Sequence, residues 1–99
     1  MSRYVINELA SQDLNHIADY FVANNIEAGE QFFQTFNRKC QQLVTFPNSG
    51  KNYESIRPGL RGVSFNGHII FYRILEDGIE ILRVVSGRRD FSSLLEEFD

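Results

Sequence analysis

The 99-residue chain is 42% hydrophobic and 23% charged, which fits a folded globular unit and disfavours disorder as an overall description, and its length leaves no room for a second domain. Its one cysteine, Cys40, excludes an internal disulfide and any multi-cysteine zinc or iron–sulfur centre. A net charge of -3 gives nucleic acid no overall attraction, yet the stretch from Gly50 to Phe91 carries seven basic residues against five acidic ones.

The opening residues lack the charged, apolar and small-residue order of a signal peptide, and no apolar run approaches the roughly 18 residues of a membrane span. A cytoplasmic protein without membrane association is therefore expected. Alternation in Arg3-Tyr4-Val5-Ile6-Asn7 predicts a short opening strand. Ser11 reads as an N-cap, and Leu14, Ile17, Ala18 and Phe21 then form one apolar stripe, predicting a helix from about Ser11 to Ala23. Asn24-Asn25 breaks the chain. Phe32, Phe33, Phe36, Cys40, Leu43 and Val44 continue helical spacing until Pro47, so a second helix returns against the first as a hairpin.

From Phe46 to Gly59, turn-forming residues without apolar periodicity predict a surface loop. Three strands follow at Leu60–Phe65, His68–Leu75 and Ile79–Ser86. Asn66-Gly67 and Asp77-Gly78 between them are dipeptides preferred by hairpin turns that need positive φ. Phe91, Leu94, Leu95 and Phe98 behind Asp90 predict a short C-terminal helix. The order is β-α-α-β-β-β, an α+β fold with the hairpin on one sheet face, leaving the other face open and partly basic through Arg73 or Arg83. Phe32 and Phe33, being adjacent, cannot both face one core, so one of them is expected at a groove edge. His16 and His68 stand without partners at ligand spacing, so no metal or cofactor is expected, and Cys40 reads as a small buried hydrophobe.

In this order, Ala10-Ser11-Gln12-Asp13-Leu14, Phe46-Pro47-Asn48-Ser49-Gly50, Arg57-Pro58-Gly59-Leu60-Arg61, Ile70-Phe71-Tyr72-Arg73, Ile81-Leu82-Arg83-Val84 and Gly87-Arg88-Arg89-Asp90 resemble the RelE/ParE superfamily of type II toxin–antitoxin toxins, and its ParE branch in particular. The resemblance covers nearly the whole chain. It implies a toxin neutralised by a ParD-like antitoxin, acting on DNA gyrase to block replication, with toxin–antitoxin oligomers of higher order and no sequence-specific DNA binding by the toxin alone. Arg61, Arg83, Arg88, Arg89 and Asp90 are the expected target-binding residues. Phe21, Phe32, Phe33, Phe36, Tyr72 and Arg73 are the expected antitoxin-binding residues. Members similar to RelE instead cleave messenger RNA on the ribosome, which needs acid–base and cationic groups in register. Ile69 and Leu95 stand where that branch bears Arg and Tyr, and Ser86 stands where ParE sequences often carry His, so no catalytic residue is expected. The ribonuclease activity and a degenerate interaction module are the alternatives.

Overall fold

The computed structural model describes residues 3–88 and 90–98. In chain order the elements are β1 (Arg3–Ile6), α1 (Glu8–Asn24), α2 (Ile26–Thr45), a 3-10 turn (Pro47–Ser49), β2 (Lys51–Asn52), β3 (Arg61–Phe65), β4 (His68–Leu75), β5 (Gly78–Ser86) and α3 (Phe91–Glu97). The sheet order is β1-β5-β4-β3-β2, with β1 parallel to β5 and the other pairs antiparallel. This is the expected α+β fold. The short β2 inside the predicted loop is an addition to it.

Asn7, and not Ser11, caps α1: its side chain accepts from the Ala10 amide at 2.9 Å. The chain leaves β1 extended at Asn7, so one residue ends the strand and opens the helix. Asn25 is the sole link between the helices. Its amide donates to the Phe21 carbonyl of α1 at 2.7 Å, and its side chain accepts from the Ala28 amide of α2 at 3.1 Å. The hairpin is this tight because one asparagine serves as C-cap and N-cap together.

The hairpin lies on one sheet face over a core of Leu14, Phe32, Phe36, Cys40, Leu43, Ile70, Tyr72, Ile79 and Ile81. The opposite face is not left open. Leu60, Phe71, Leu82, Val85 and Leu94 make a second buried cluster, with Tyr53, Ile56, Ile69 and Phe98 packed against it. Tyr53 and Ile56, three residues apart in the loop after β2, are held by a turn in which the Tyr53 carbonyl accepts from the Ile56 and Arg57 amides. That turn and α3 together form the second cover. Arg73 lies clear of this cluster, its Nε donating to Glu80 at 2.6 Å.

Asn66 and Gly67 adopt φ of 47° and 80°, as the hairpin between β3 and β4 requires. Asp77-Gly78 does not repeat this geometry. The turn residues are Glu76 and Asp77, while Gly78 pairs with Leu75 inside the sheet. Gly78 is needed for a different reason: a Cβ there would lie 1.7 Å from the Arg3 carbonyl oxygen, so only glycine lets β1 come alongside.

A bulge opposite Phe71 and Tyr72 sets Leu82 outside the β4–β5 register. Beyond it, β1 has ended, and the exposed side of β5 is met by α1. Asp13 accepts the Val84 amide at 2.9 Å and grips Arg83 with both oxygens, from Nε at 2.8 Å and from Nη2 at 2.9 Å. One carboxylate thus stands in for the missing strand.

Candidate functional site

Two surfaces emerge from this framework. The first is an apolar hollow of about 270 Å³ at the hairpin tip, lined by Ala18, Phe21, Val22, Ile26, Gly29, Glu30 and Phe33. It exists because α1 and α2 meet closely there, since a Cβ on Gly29 would lie 2.7 Å from the Phe21 Cβ. A train of ring contacts backs it, with Phe21 and Phe33 each packed on Phe32 at centroid separations of 5.4 and 5.2 Å. Phe32 also reaches Phe65 and His68 on the sheet, at 5.2 and 5.7 Å. Ile26 is 59% exposed and Val22 69%, an unusual placement for branched aliphatic side chains beside an apolar depression.

Of the expected antitoxin-binding residues, Phe21 and Phe33 are half-buried and face this hollow. Phe32 and Phe36 are core residues, only 4% exposed. Tyr72 is fully buried, its hydroxyl donating to the Pro47 carbonyl at 2.7 Å and accepting from the Gly50 amide at 3.0 Å. Burial pushes its phenol above the ordinary range, against the opposing effects of the Gly50 hydrogen bond and the Arg61 charge. Phe32, Phe36 and Tyr72 therefore lie beneath the surface in the isolated chain and shape it from within. Val22, Ile26 and Gly29 belong to the hollow and were not expected there. Their signal in the sequence is an apolar pair that falls off both helical stripes and straddles Asn24-Asn25.

The second surface is a groove of about 620 Å³ between the C-terminal half of α2 and the outer side of β3. Arg38 and Lys39 border it from α2, Ser64 and Asn66 from the sheet, and Phe46 stands at its rim. No carboxylate lines it. The turn that carries Phe46 is clamped from below, because Tyr72 holds Pro47 and Gly50 while Arg61 Nη1 donates to the carbonyls of Asn48 at 3.3 Å and Gly50 at 2.8 Å.

The expected target-binding residues are scattered by the structure. Arg61 is engaged with the turn just described, and Arg83 with Asp13, the two side chains of that pair being 15% and 14% exposed. Both are structural corrections to the idea of one free basic sheet face. Arg88 is exposed at the end of β5, its amide donating to Ser86 Oγ at 3.3 Å. Arg89 lies outside the described residues. Asp90 caps α3, accepting from the Ser93 amide at 2.8 Å, and the hydrogen bonds from Ser93 hold its carboxyl below the usual range.

Among the described residues no group of three or more His, Cys, Asp or Glu is placed to hold a metal, and no helix is long and apolar enough to cross a membrane. Cys40 is enclosed under α2, and burial pushes its thiol up to about 12. Burial likewise raises the Tyr4 phenol, with the nearby Cys40 adding to it, and the Tyr4 hydroxyl bonds Asn37.

Residues 4–91, which take in both surfaces and all of the sheet but Arg3, match the family described as the ParE toxin of type II toxin–antitoxin system, parDE. The chain is 30% identical over 91 residues to Toxin ParE1 of Mycobacterium tuberculosis, covering 90% of this chain and 93% of that one. It is 26% identical over 96 residues to Toxin ParE3 of Caulobacter vibrioides, covering 96% of each. Its fold superposes on a chain of the chromosomal ParDE system from P. aeruginosa with a TM-score of 0.71 at 24% identity, covering 87% of this chain and 96% of that one. With a matched region that runs from β1 to the start of α3, the chain belongs to the ParE toxin family of type II toxin–antitoxin systems.

Proposed function

We propose that this toxin is held inactive by a ParD-like antitoxin seated on the hairpin hollow, and that the released toxin acts by inhibiting DNA gyrase. The observation that carries the antitoxin half is the exposed Val22 and Ile26 beside half-buried Phe21 and Phe33, an apolar depression shaped to take the apolar face of a partner helix. The gyrase half rests on the family and on Arg88, an exposed cation just past the end of β5 whose amide donates to Ser86 Oγ. Arg88 and Arg89 offer charge and a hydrogen-bonding fork to an acidic patch or a protein–DNA junction. Arg61 and Arg83 support that surface by holding the sheet and its loops in place.

Purified toxin is expected to inhibit gyrase supercoiling or trap the cleaved DNA complex, and to lose that effect in the Arg88→Ala/Arg89→Ala double variant with its circular dichroism unchanged. Cuts in messenger on translating ribosomes, with gyrase activity untouched, would overturn this reading in favour of the ribonuclease branch. Inactivity in both assays would leave a module that binds its partner without toxicity.

A further inference from the structure

The strand β1 ends the sheet on one side, and no strand covers its outer edge among the described residues. We propose that this edge is a self-association site, at which β1 of a second copy of the toxin pairs antiparallel about a two-fold axis at Val5. The hairpin hollow stays free in such a pair, because the part of α2 beside β1 is Gln41, Val44 and Thr45, at the far end of the helix from Ile26 and Gly29.

Three observations point to this occupant. The first is the direction of the free backbone groups. In the parallel ladder with β5, the Arg3 amide donates to the Asp77 carbonyl and the Asn7 amide to the Ile81 carbonyl, each at 3.1 Å. The amides of Arg3, Val5 and Asn7 thus turn toward β5, and by alternation the amides and carbonyls of Tyr4 and Ile6 turn outward. These outward groups have no partner among the described residues. A two-fold axis at Val5 sets Tyr4 opposite Ile6 of the second copy and Ile6 opposite its Tyr4. Every outward amide and carbonyl of both strands is then paired at once, and the association closes at two copies.

The second is what lies beside that edge. Cross-strand neighbours share a sheet face, and Tyr4 packs on the α2 side. Ile6 of the second copy, opposite Tyr4, therefore points into the hollow of about 450 Å³ between β1 and α2, which Tyr4, Gln41, Val44 and Thr45 line. In the single chain Ile6 is 38% exposed and Leu9, just beyond it, 52%. Edge strands that stay single are commonly guarded by a proline, a lysine or a bulge. β1 has none of these, and only its length of four residues limits what can pair with it. So short a ladder makes the pairing reversible and dependent on concentration.

The third is the sign of the two ends. β1 begins at Arg3 and leads into Glu8, and both are exposed. Antiparallel pairing about Val5 sets Arg3 opposite Asn7 of the second copy, next to its Glu8, and does so at both ends of the ladder. Glu8 has no ion pair among the described residues. Arg3 holds Asp77 through Nε at 3.2 Å in an exposed pair, and a guanidinium has donors enough to serve a second carboxylate. Parallel pairing would instead set like charges side by side, so the charges select an antiparallel second copy.

The test is sedimentation of the free toxin from micromolar to millimolar concentration, with Arg3→Glu and Glu8→Arg as variants whose fold is checked by circular dichroism. The parent is expected to dimerise, and NMR should show exchange at the Tyr4 and Ile6 amides slowing at least threefold as the dimer fills. Each variant alone sets like charges at both ends and should dimerise at least tenfold more weakly. An equal mixture of the two variants restores an opposite pair at each end and should dimerise as the parent does. A toxin that stays monomeric at millimolar concentration overturns the proposal, as does a dimer in which the Tyr4 and Ile6 amides exchange unchanged or the charge variants pair as the parent does. Loss of the dimer in Ile26→Asp would assign it to the hairpin hollow and overturn the proposal as well.

Discussion

Replacing Asp13 with alanine removes three hydrogen bonds at one stroke, two from the Arg83 guanidinium and one from the Val84 amide. Breaking a fully buried ion pair on one side costs about 3–5 kcal/mol, because the surviving charge stays desolvated. Here each side chain keeps about a seventh of its surface, at 15% and 14%, so water can partly replace the lost partner. An amide left without its acceptor adds about 1 kcal/mol. The expected loss for Asp13→Ala is therefore about 3 kcal/mol, or roughly 12–24 °C in Tm for a domain of this size. Arg83→Met should cost less, about 1–2 kcal/mol, since Asp13 still accepts the Val84 amide. Urea unfolding of the two single variants and the double variant gives the coupling energy, which should be about 1.5 kcal/mol or more. A coupling below about 0.5 kcal/mol, or an Asp13→Ala variant as stable as its parent, would refute the account of Asp13 as the latch between α1 and β5.

Ile26→Asp should leave the unfolding midpoint within about 0.5 kcal/mol of the parent, since the side chain is largely exposed, while weakening antitoxin binding by at least tenfold in calorimetry; unchanged affinity would remove the hairpin hollow from the interface. Gly78→Ala should detach β1, because its methyl cannot share space with the Arg3 carbonyl, and loss of cross-strand NOEs between Tyr4 and Ile79 with the hairpin core intact would report it. Cys40 should resist iodoacetamide at pH 8 in the folded protein and react once urea is added. Its thiol, raised from 9.0 to about 12, stays protonated longer in the folded state. The stability this provides is therefore complete below about pH 9 and is lost as pH rises toward 12, by up to about 4 kcal/mol. Tyr4 and Tyr72 are shifted in the same direction, so their contributions have the same sign. A urea midpoint that does not fall between pH 8 and pH 10.5 would contradict this.

The elements were legible where one local signal had one physical cause. Asn66-Gly67 marks a turn because both residues must adopt positive φ, and they do. Asp77-Gly78 carries the same letters for a reason no local pattern contains, since its glycine answers to Arg3, some 75 residues away. Ser11 looked like a cap because it precedes the apolar stripe, but Asn7 sits where the backbone turns from strand to helix. The second core was not legible because the helical spacing of Leu94 and Phe98 does not say which sheet face the helix covers, and Tyr53 and Ile56 lie in a loop without apolar periodicity. The site was less legible than the fold. Spacing identified the phenylalanines as a group, but only packing separates the rim residue Phe33 from the core residue Phe32. Arginines in apolar strands drew notice as target contacts, while the acceptors that occupy Arg61 and Arg83 are backbone carbonyls and a distant carboxylate.

The parallel pairing of β1 with β5 also fixes an order of events during synthesis. Gly78 is made 75 residues after its partner Arg3. At about 5–20 residues per second, the first strand waits roughly 4–15 s for the strand it must join. The α1–α2 hairpin closes through a single asparagine within that interval, but the sheet that buries its phenylalanines has not yet been made. Closure of the sheet is thus a long-range step that must wait for β5, and until then the apolar stripe of the hairpin has no sheet to cover it.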